Sequence, residues 1–184
     1  TGHSNVAMGL NALNDNTTAS YNTSVGTYSM DKTTTGSNNT AVGYQALELN
    51  TTAYQNTAVG VTALKSTTTG ADNTGVGFSA LFANTTGYNN TAVGKSSLST
   101  NTTGAQNTAV GMQSLLSNTT GYNNSAVSTY ALKANTTGHS NTAVGLSSLQ
   151  VNTTGTYNAA VGSSALAANT TGGSNTAMGQ GSGY

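Results

Sequence analysis

The 184-residue chain contains no cysteine, no proline and no tryptophan, and only 4% of its residues are charged. Without cysteine it can form neither disulfides nor thiolate metal sites. Four lysines balance four acidic residues, and arginine is absent. Because sequence-independent nucleic-acid binding depends on clustered lysine and arginine, this composition predicts no nucleic-acid partner.

The sequence also lacks long apolar runs and a signal-peptide pattern, so we expect no membrane insertion. Few charges and abundant Asn, Thr, Gly and Ser could indicate disorder. Disordered chains, however, usually carry high net charge and lack regularly spaced apolar positions. The apolar residues here recur at fixed positions, which favours an ordered structure.

What the chain does contain is a repeat of 17 residues without a single insertion or deletion, with the consensus N-T-A-V-G-x-x-A-L-x-x-N-T-T-G-x-x. We number its positions from the opening asparagine, so that valine occupies position 4, leucine position 9, and glycine positions 5 and 15. The opening asparagines are Asn5, Asn22, Asn39, Asn56, Asn73, Asn90, Asn107, Asn124, Asn141, Asn158 and Asn175.

This period predicts an all-β fold. Two glycines per repeat and frequent Asn and Thr disfavour helices, and short segments bounded by Gly and Asn are typical of strands and turns. A unit of this size suits one coil of a parallel β-solenoid, or β-roll, with 17 residues per coil and about 11 coils. We expect residues 1–184 to form a single solenoid array about 50 Å long, a segment of a longer fibrous protein.

The conserved spacing also predicts side-chain directions. We expect valine and leucine, such as Val93, Leu98, Val110 and Leu115, to point into the coil. Because neighbouring strand residues face opposite sides, the alanine before each valine would then face outward and form a packing surface for another chain. Both glycines of each repeat are expected at positive φ, and the stacked asparagines are expected to form amide ladders.

The unit Gly104-Ala105-Gln106-Asn107-Thr108-Ala109-Val110-Gly111-Met112-Gln113-Ser114 resembles the head repeats of trimeric autotransporter adhesins. The longer N-T-A-V-G-x-x-A-L-x-x-N-T-T-G arrays of tail-fibre-like bacterial and phage surface proteins are more similar still. The resemblance implies a left-handed parallel β-roll with three chains around an axis. It also implies a role in binding host matrix or other cells.

No catalytic, cofactor or metal site emerges from the sequence, and we expect no enzyme activity. His3 and His139 share a repeat position but lie eight coils apart, too far to share a metal ion. Asp31 and Glu48 share position 10 on successive coils and could act as an acid/base pair. Because Lys65 follows in the same column, a solvated charged edge is the preferred interpretation.

Two further residue sets have competing interpretations. The Asn-Thr-Thr triplet is a glycosylation sequon, but a turn with a threonine ladder requires the same residues, and the turn is preferred. Its asparagines are Asn16, Asn50, Asn84, Asn101, Asn118, Asn135, Asn152 and Asn169. Exposed aromatic residues could stack on sugars, join rods sideways, or be ordinary surface residues. The possible contact surface comprises Tyr44, Phe78, Tyr88 and Tyr122.

The sequence therefore predicts a structural or adhesive fibre segment, extracellular, at a cell surface or in a virion fibre. Its expected partner is itself, as a trimer or filament, with glycans or a host or cell surface as further partners. The alternative is an ice-binding solenoid, in which regular threonine columns order water. Against this alternative, the paired threonines Thr102 and Thr103 are adjacent and would point to opposite faces.

Overall fold

A computed structural model describes residues 2–183 as a stack of coils with one short strand in each repeat. The eleven strands form one parallel sheet in sequence order, which confirms the predicted all-β solenoid. The strands are β1 Val6–Met8, β2 Thr23–Val25, β3 Thr40–Val42, β4 Thr57–Val59, β5 Thr74–Val76, β6 Thr91–Val93, β7 Thr108–Val110, β8 Ser125–Val127, β9 Thr142–Val144, β10 Ala159–Val161 and β11 Thr176–Met178.

The register between coils follows the sequence repeat. Thr91 pairs with Thr108 and Val93 with Val110, so each residue lies beside its copy 17 positions later. The turns continue this ladder: the Leu98 backbone N–H donates to the Ser114 carbonyl oxygen at 2.9 Å. Hydrogen bonds between coils therefore run around the circumference, and the coil-to-coil stacking does not depend on the three-residue strands alone.

The interior contains the alanine and leucine columns and excludes the valines. Ala92, Ala109 and Leu98 are fully buried, whereas Val93 and Val110 are 37% and 36% exposed. The prediction that valine points inward and alanine outward is therefore wrong. Neighbouring strand residues do face opposite sides, but the coil is narrow, and once leucine occupies its interior only a small side chain fits opposite.

Leucine reaches the interior from a turn and not from a strand. After Gly94 at φ +127°, Ser96 and Leu98 adopt left-handed φ values of 54° and 52°. The intervening Ser97 is also buried, because the turn, unlike a strand, does not alternate side-chain faces. The same left-handed conformation recurs at position 9 in Leu13, Met30, Leu47, Leu64, Leu81, Leu98, Leu115, Leu132, Leu149 and Leu166.

The two glycine columns are required for different reasons. At position 5 the φ is positive, as predicted, for example 129° at Gly111. At position 15 the prediction of positive φ is wrong. There, a Cβ on Gly104 would lie 2.3 Å from the Asn101 Oδ1 atom and 2.4 Å from the Gly121 carbonyl oxygen. Close approach favours glycine in this second column, although two coils accommodate a buried alanine there, Ala19 and Ala53.

Two buried amide ladders run along the stack, as the sequence predicted. In the position 1 ladder, Asn107 Nδ2 donates to Asn90 Oδ1 at 3.1 Å and to the Gly121 carbonyl oxygen at 2.8 Å. In the position 12 ladder, Asn118 Nδ2 donates to Asn101 Oδ1 at 2.8 Å and also reaches the Gly121 oxygen, at 3.0 Å. The shared acceptor joins the two ladders from Asn84 onward. One coil earlier, Thr67 occupies position 12 and its buried hydroxyl has no hydrogen-bond partner, so the second ladder is interrupted there.

Candidate contact surfaces

The outward side of the strands is a regular face of threonine and valine. Thr91 and Val93 lie two residues apart on one strand and point to the same side, opposite the buried Ala92. We call this surface the Thr–Val face. Its central members are Thr40, Thr57, Thr74, Thr91, Thr108, Val42, Val59, Val76, Val93 and Val110.

Spacing on the Thr–Val face is set by the sheet. Copies of one residue follow each other at the strand separation of about 4.8 Å, and the threonine and valine columns lie about 6.7 Å apart. The hydroxyl groups of these threonines make no hydrogen bond within residues 2–183, and none of them is a buried unpaired atom, so they are open to solvent. The face thus presents alternating rows of hydroxyl and methyl groups.

The paired threonines of each Asn-Thr-Thr step have separate roles. Thr102 is half-buried and its Oγ1 donates to the Thr119 carbonyl oxygen on the next coil at 3.1 Å. The adjacent Thr103 is exposed, as expected because neighbouring residues point to opposite sides. The exposed column comprises Thr18, Thr35, Thr52, Thr69, Thr86, Thr103, Thr120, Thr137, Thr154 and Thr171.

The sequon asparagines lie mostly inside the solenoid. Six have no exposed surface: Asn50, Asn84, Asn101, Asn118, Asn135 and Asn152. The two near the ends are half-buried, and their amides are also engaged: Asn16 Nδ2 donates to the Ala19 carbonyl oxygen at 3.3 Å and Asn169 Nδ2 to Asn152 Oδ1 at 2.9 Å. An N-linked sugar would require this nitrogen, so the geometry favours the turn-and-ladder interpretation.

The predicted aromatic contact residues are all exposed and lie in two columns. Tyr44 and Phe78, at position 6, are 47% and 53% exposed and follow the Thr–Val face in sequence. Tyr88 and Tyr122, at position 16, are 50% and 44% exposed and share their column with Tyr54. The four residues therefore form two separate candidate surfaces.

The histidines contact aromatic rings. His3 meets Tyr21 edge to face, with ring centroids 5.0 Å apart. His139 stacks on Tyr122, with centroids 4.5 Å apart and an interplanar angle of 11°, and forms a T-shaped pair with Tyr157, with centroids 5.2 Å apart. Within residues 2–183 no three His, Cys, Asp or Glu side chains are grouped to hold a metal ion.

Charged residues cluster on the N-terminal coils. Lys32 Nζ lies 3.2 Å from Asp15 Oδ2 and 3.1 Å from Asp31 Oδ2, and Lys65 Nζ lies 3.2 Å from Glu48 Oε2. The hydrogen bond to Asp31, then that to Asp15, raises the pKa of Lys32. Asp31 and Glu48 are thus largely buried in ion pairs and do not form the solvated edge that was expected. No pocket adjoins them in the part of the chain described.

Comparison with protein-family models, with curated proteins and with solved structures finds no match. The resemblance to adhesin and tail-fibre repeats therefore depends on the repeat motif alone. Residues 2–183 include no helix that is long and apolar enough to cross a membrane.

Proposed function

We propose that this chain is a structural and adhesive segment of an extracellular fibre, and that its solenoid is the shaft. The observation that carries this proposal is the continuity of the ladders. Backbone bonds and the position 1 asparagine ladder pass from coil to coil in one register, as from Asn90 to Asn107 and on to Asn124. The position 12 ladder is continuous from Asn84 to Asn169. In such a stack, contacts form between neighbouring coils only, so length can increase without a change in local packing.

Stacking along the axis is self-complementary. Each coil donates to the next coil the same bond that it accepts from the preceding one. Thr91 N–H donates to the Asn107 carbonyl oxygen, and Thr108 N–H, on the coil of Asn107, donates to the Asn124 carbonyl oxygen, both at 2.8 Å. Further repeats, or another copy of the chain, can therefore extend the same ladder. This supports the proposed filament, and a trimer of parallel rods is the assembly that the motif resemblance implies.

Adhesive specificity would lie at the variable positions. The conserved positions supply the buried alanine, leucine and asparagine columns, while residues such as Tyr44 and Phe78 vary between coils and are exposed. With few charges nearby, contacts through these side chains to glycans or a cell surface would depend little on salt. A location outside the cell, on its surface or in a virion fibre follows from this role.

Surface labelling tests the location and the fibre together. Antibodies raised against the purified rod should label thin fibres on intact source cells or virions in electron micrographs. Labelling that requires permeabilised cells, or that decorates no fibre, would contradict the proposal. Double substitution of Tyr44 and Phe78 by serine should reduce attachment while leaving the circular dichroism spectrum unchanged.

Ice binding remains a second candidate because of the Thr–Val face. Thr102 and Thr103 are adjacent and differ in exposure, but in the strands Thr91 and Val93 lie two residues apart and point to the same side. A flat, regular array of hydroxyl and methyl groups could order surface water. A thermal-hysteresis assay tests this: activity that is lost in Thr91→Tyr supports the candidate, and no activity in the wild-type chain rejects it.

A further inference from the structure

Three tyrosines form a comb along one edge of the rod. Tyr54, Tyr88 and Tyr122 occupy position 16 of alternate coils and are 49%, 50% and 44% exposed. The coils between them carry Ala71 and Ala105, each 7% exposed, at the same position. With a coil separation of about 4.8 Å, the rings are about 9.6 Å apart, and each gap between them has an alanine floor. We call these three residues the tyrosine comb and the two gaps its slots.

The chain itself shows what fits beside such a ring. One coil beyond the comb, His139 occupies position 16 and stacks on Tyr122 with ring centroids 4.5 Å apart and an interplanar angle of 11°. A separation of one coil therefore suits two stacked rings, and it lies at the favourable end of the range for aromatic pairs. The coils of Ala71 and Ala105 carry no ring of their own at the places where a second ring could stack in this manner.

We propose that two copies of this chain pair side by side through interdigitated tyrosine combs. The inference rests on the proposed rod and identifies the surface through which rods associate. A second copy is the fitting occupant because its comb has the same spacing. Displaced by one coil, its rings enter the slots and stack about 4.8 Å from the rings on either side.

The His139 ring, which already stacks on Tyr122, determines how the two chains align. In an antiparallel pair related by a two-fold axis, contacts are reciprocal. Tyr54 then enters over the partner's Ala105, Tyr88 enters over the partner's Ala71, and Tyr122 lies over the partner's Ser37. The alternative register, displaced in the other direction, would place a tyrosine on the site that His139 already fills.

The surroundings of the comb suit an interface. Each comb residue is followed by an exposed uncharged polar side chain, namely Gln55, Asn89 or Asn123. The slot residues are followed by exposed Asp72 and Gln106, so Asp72 is a charged member of this rim. Tyrosine is enriched among residues that dominate binding, and a polar rim around them is usual. A standard interface covers ~800 Å² on each partner, which is about a tenth of the 7292 Å² accessible surface of this chain.

Filling the slots is the sharpest test. In the double variant Ala71→Tyr and Ala105→Tyr the slots are blocked, although the exposed aromatic surface increases. Sedimentation equilibrium should show a wild-type dimer and, in this variant, self-association at least about 100-fold weaker. If aromatic surface acted only by general hydrophobicity, association would instead strengthen. Unchanged or stronger association in the filled variant overturns the proposal, as does a monomeric wild-type chain.

A second variant tests the same interface in case the first variant does not fold. Replacing Tyr54, Tyr88 and Tyr122 with serine changes only half-exposed side chains, so the coil should be retained and the dimer lost. The matched control, Tyr44→Ser with Phe78→Ser, removes two exposed rings elsewhere and should leave the dimer intact. Equal weakening in the control would also overturn the proposal. Small-angle scattering of each species distinguishes a failed pairing, which leaves monomeric rods, from failure of the rod itself.

Discussion

Neighbouring residues in one strand have opposite environments in this solenoid. Ala109 is fully buried against the leucine column, while Val110 is 36% exposed on the Thr–Val face. Size decides which of them is inside, because the narrow coil has room for leucine and only a small residue opposite. The effect of a substitution on stability should therefore depend more on the position of the residue in the coil than on its hydrophobicity.

Aspartate substitutions at these two residues test the assignment. Ala109→Asp places an unpaired carboxylate in the core and should lower the free energy of unfolding by more than about 4 kcal/mol, or prevent folding. Val110→Asp should cost no more than about 1 kcal/mol, because the side chain stays in contact with water. Urea unfolding of both variants measures this. Greater damage from Val110→Asp would contradict the assignment.

The asparagine ladders make a separate prediction. Asn107→Ala removes an acceptor for Asn124 and a donor to the Gly121 oxygen, leaving buried polar groups unpaired. At about 1–3 kcal/mol for each such group, we expect a loss of several kcal/mol. As a control, Thr103→Ala changes an exposed side chain and should leave the free energy of unfolding nearly unchanged. Equal stability of the two variants would show that the ladder contributes little.

Lys32 makes the stability of the rod depend on alkaline pH. Its pKa is raised by its bonds to Asp31 and Asp15. The stabilisation is therefore complete below the ordinary lysine pKa of about 10.4 and is lost as the pH rises through the higher folded-state pKa. Unfolding of Lys32→Met should be less dependent on alkaline pH than unfolding of the wild type. Identical alkaline profiles would contradict this effect.

At the scale of the coil, the turn after each strand determines what is buried. Position 5 has a φ near +130° in Gly94, Gly111 and Gly145, a conformation that side chains rarely adopt. In one coil the position holds Ser128, at φ +120°. This residue carries a backbone strain that the other coils avoid.

Ser128→Gly should therefore stabilise the rod, by about 1 kcal/mol or more, since non-glycine residues in such regions cost about 1–3 kcal/mol. The converse change Gly111→Ser should destabilise, because a Cβ there would also meet the Ser128 backbone carbon at 2.5 Å. Thermal unfolding of the pair provides the measurement. A lower melting temperature for Ser128→Gly would show that the serine makes a compensating contact.

The sequence predicted the coil because period and register are properties of spacing alone. It did not predict the inward side of the strand, since alternation permits two assignments and valine, as the larger apolar residue, was placed inside. Nor did it predict that Leu98 lies in a left-handed turn, a conformation unusual for leucine. The exposed aromatic residues were predicted, but the comb required knowing that Ala105 forms a floor between two rings.

At the scale of the whole molecule, the solenoid is a one-dimensional stack in which each coil contacts its neighbours. Backbone bonds, amide ladders and the leucine column all repeat with the same step of 17 residues. We infer that this step alone specifies the rod. The length of the rod should therefore increase only when whole repeats of 17 residues are added.

Insertion of extra repeats tests that claim most directly. Copies of residues 90–106 are inserted after residue 106, and the rod is measured by small-angle scattering or electron microscopy. Each inserted copy should lengthen the rod by about 4.8 Å at constant width. The matched control lacks one residue in each copy and should disrupt the ladder at the insertion, because the register shifts. Growth in width, or equal tolerance of the shortened copies, would contradict the account.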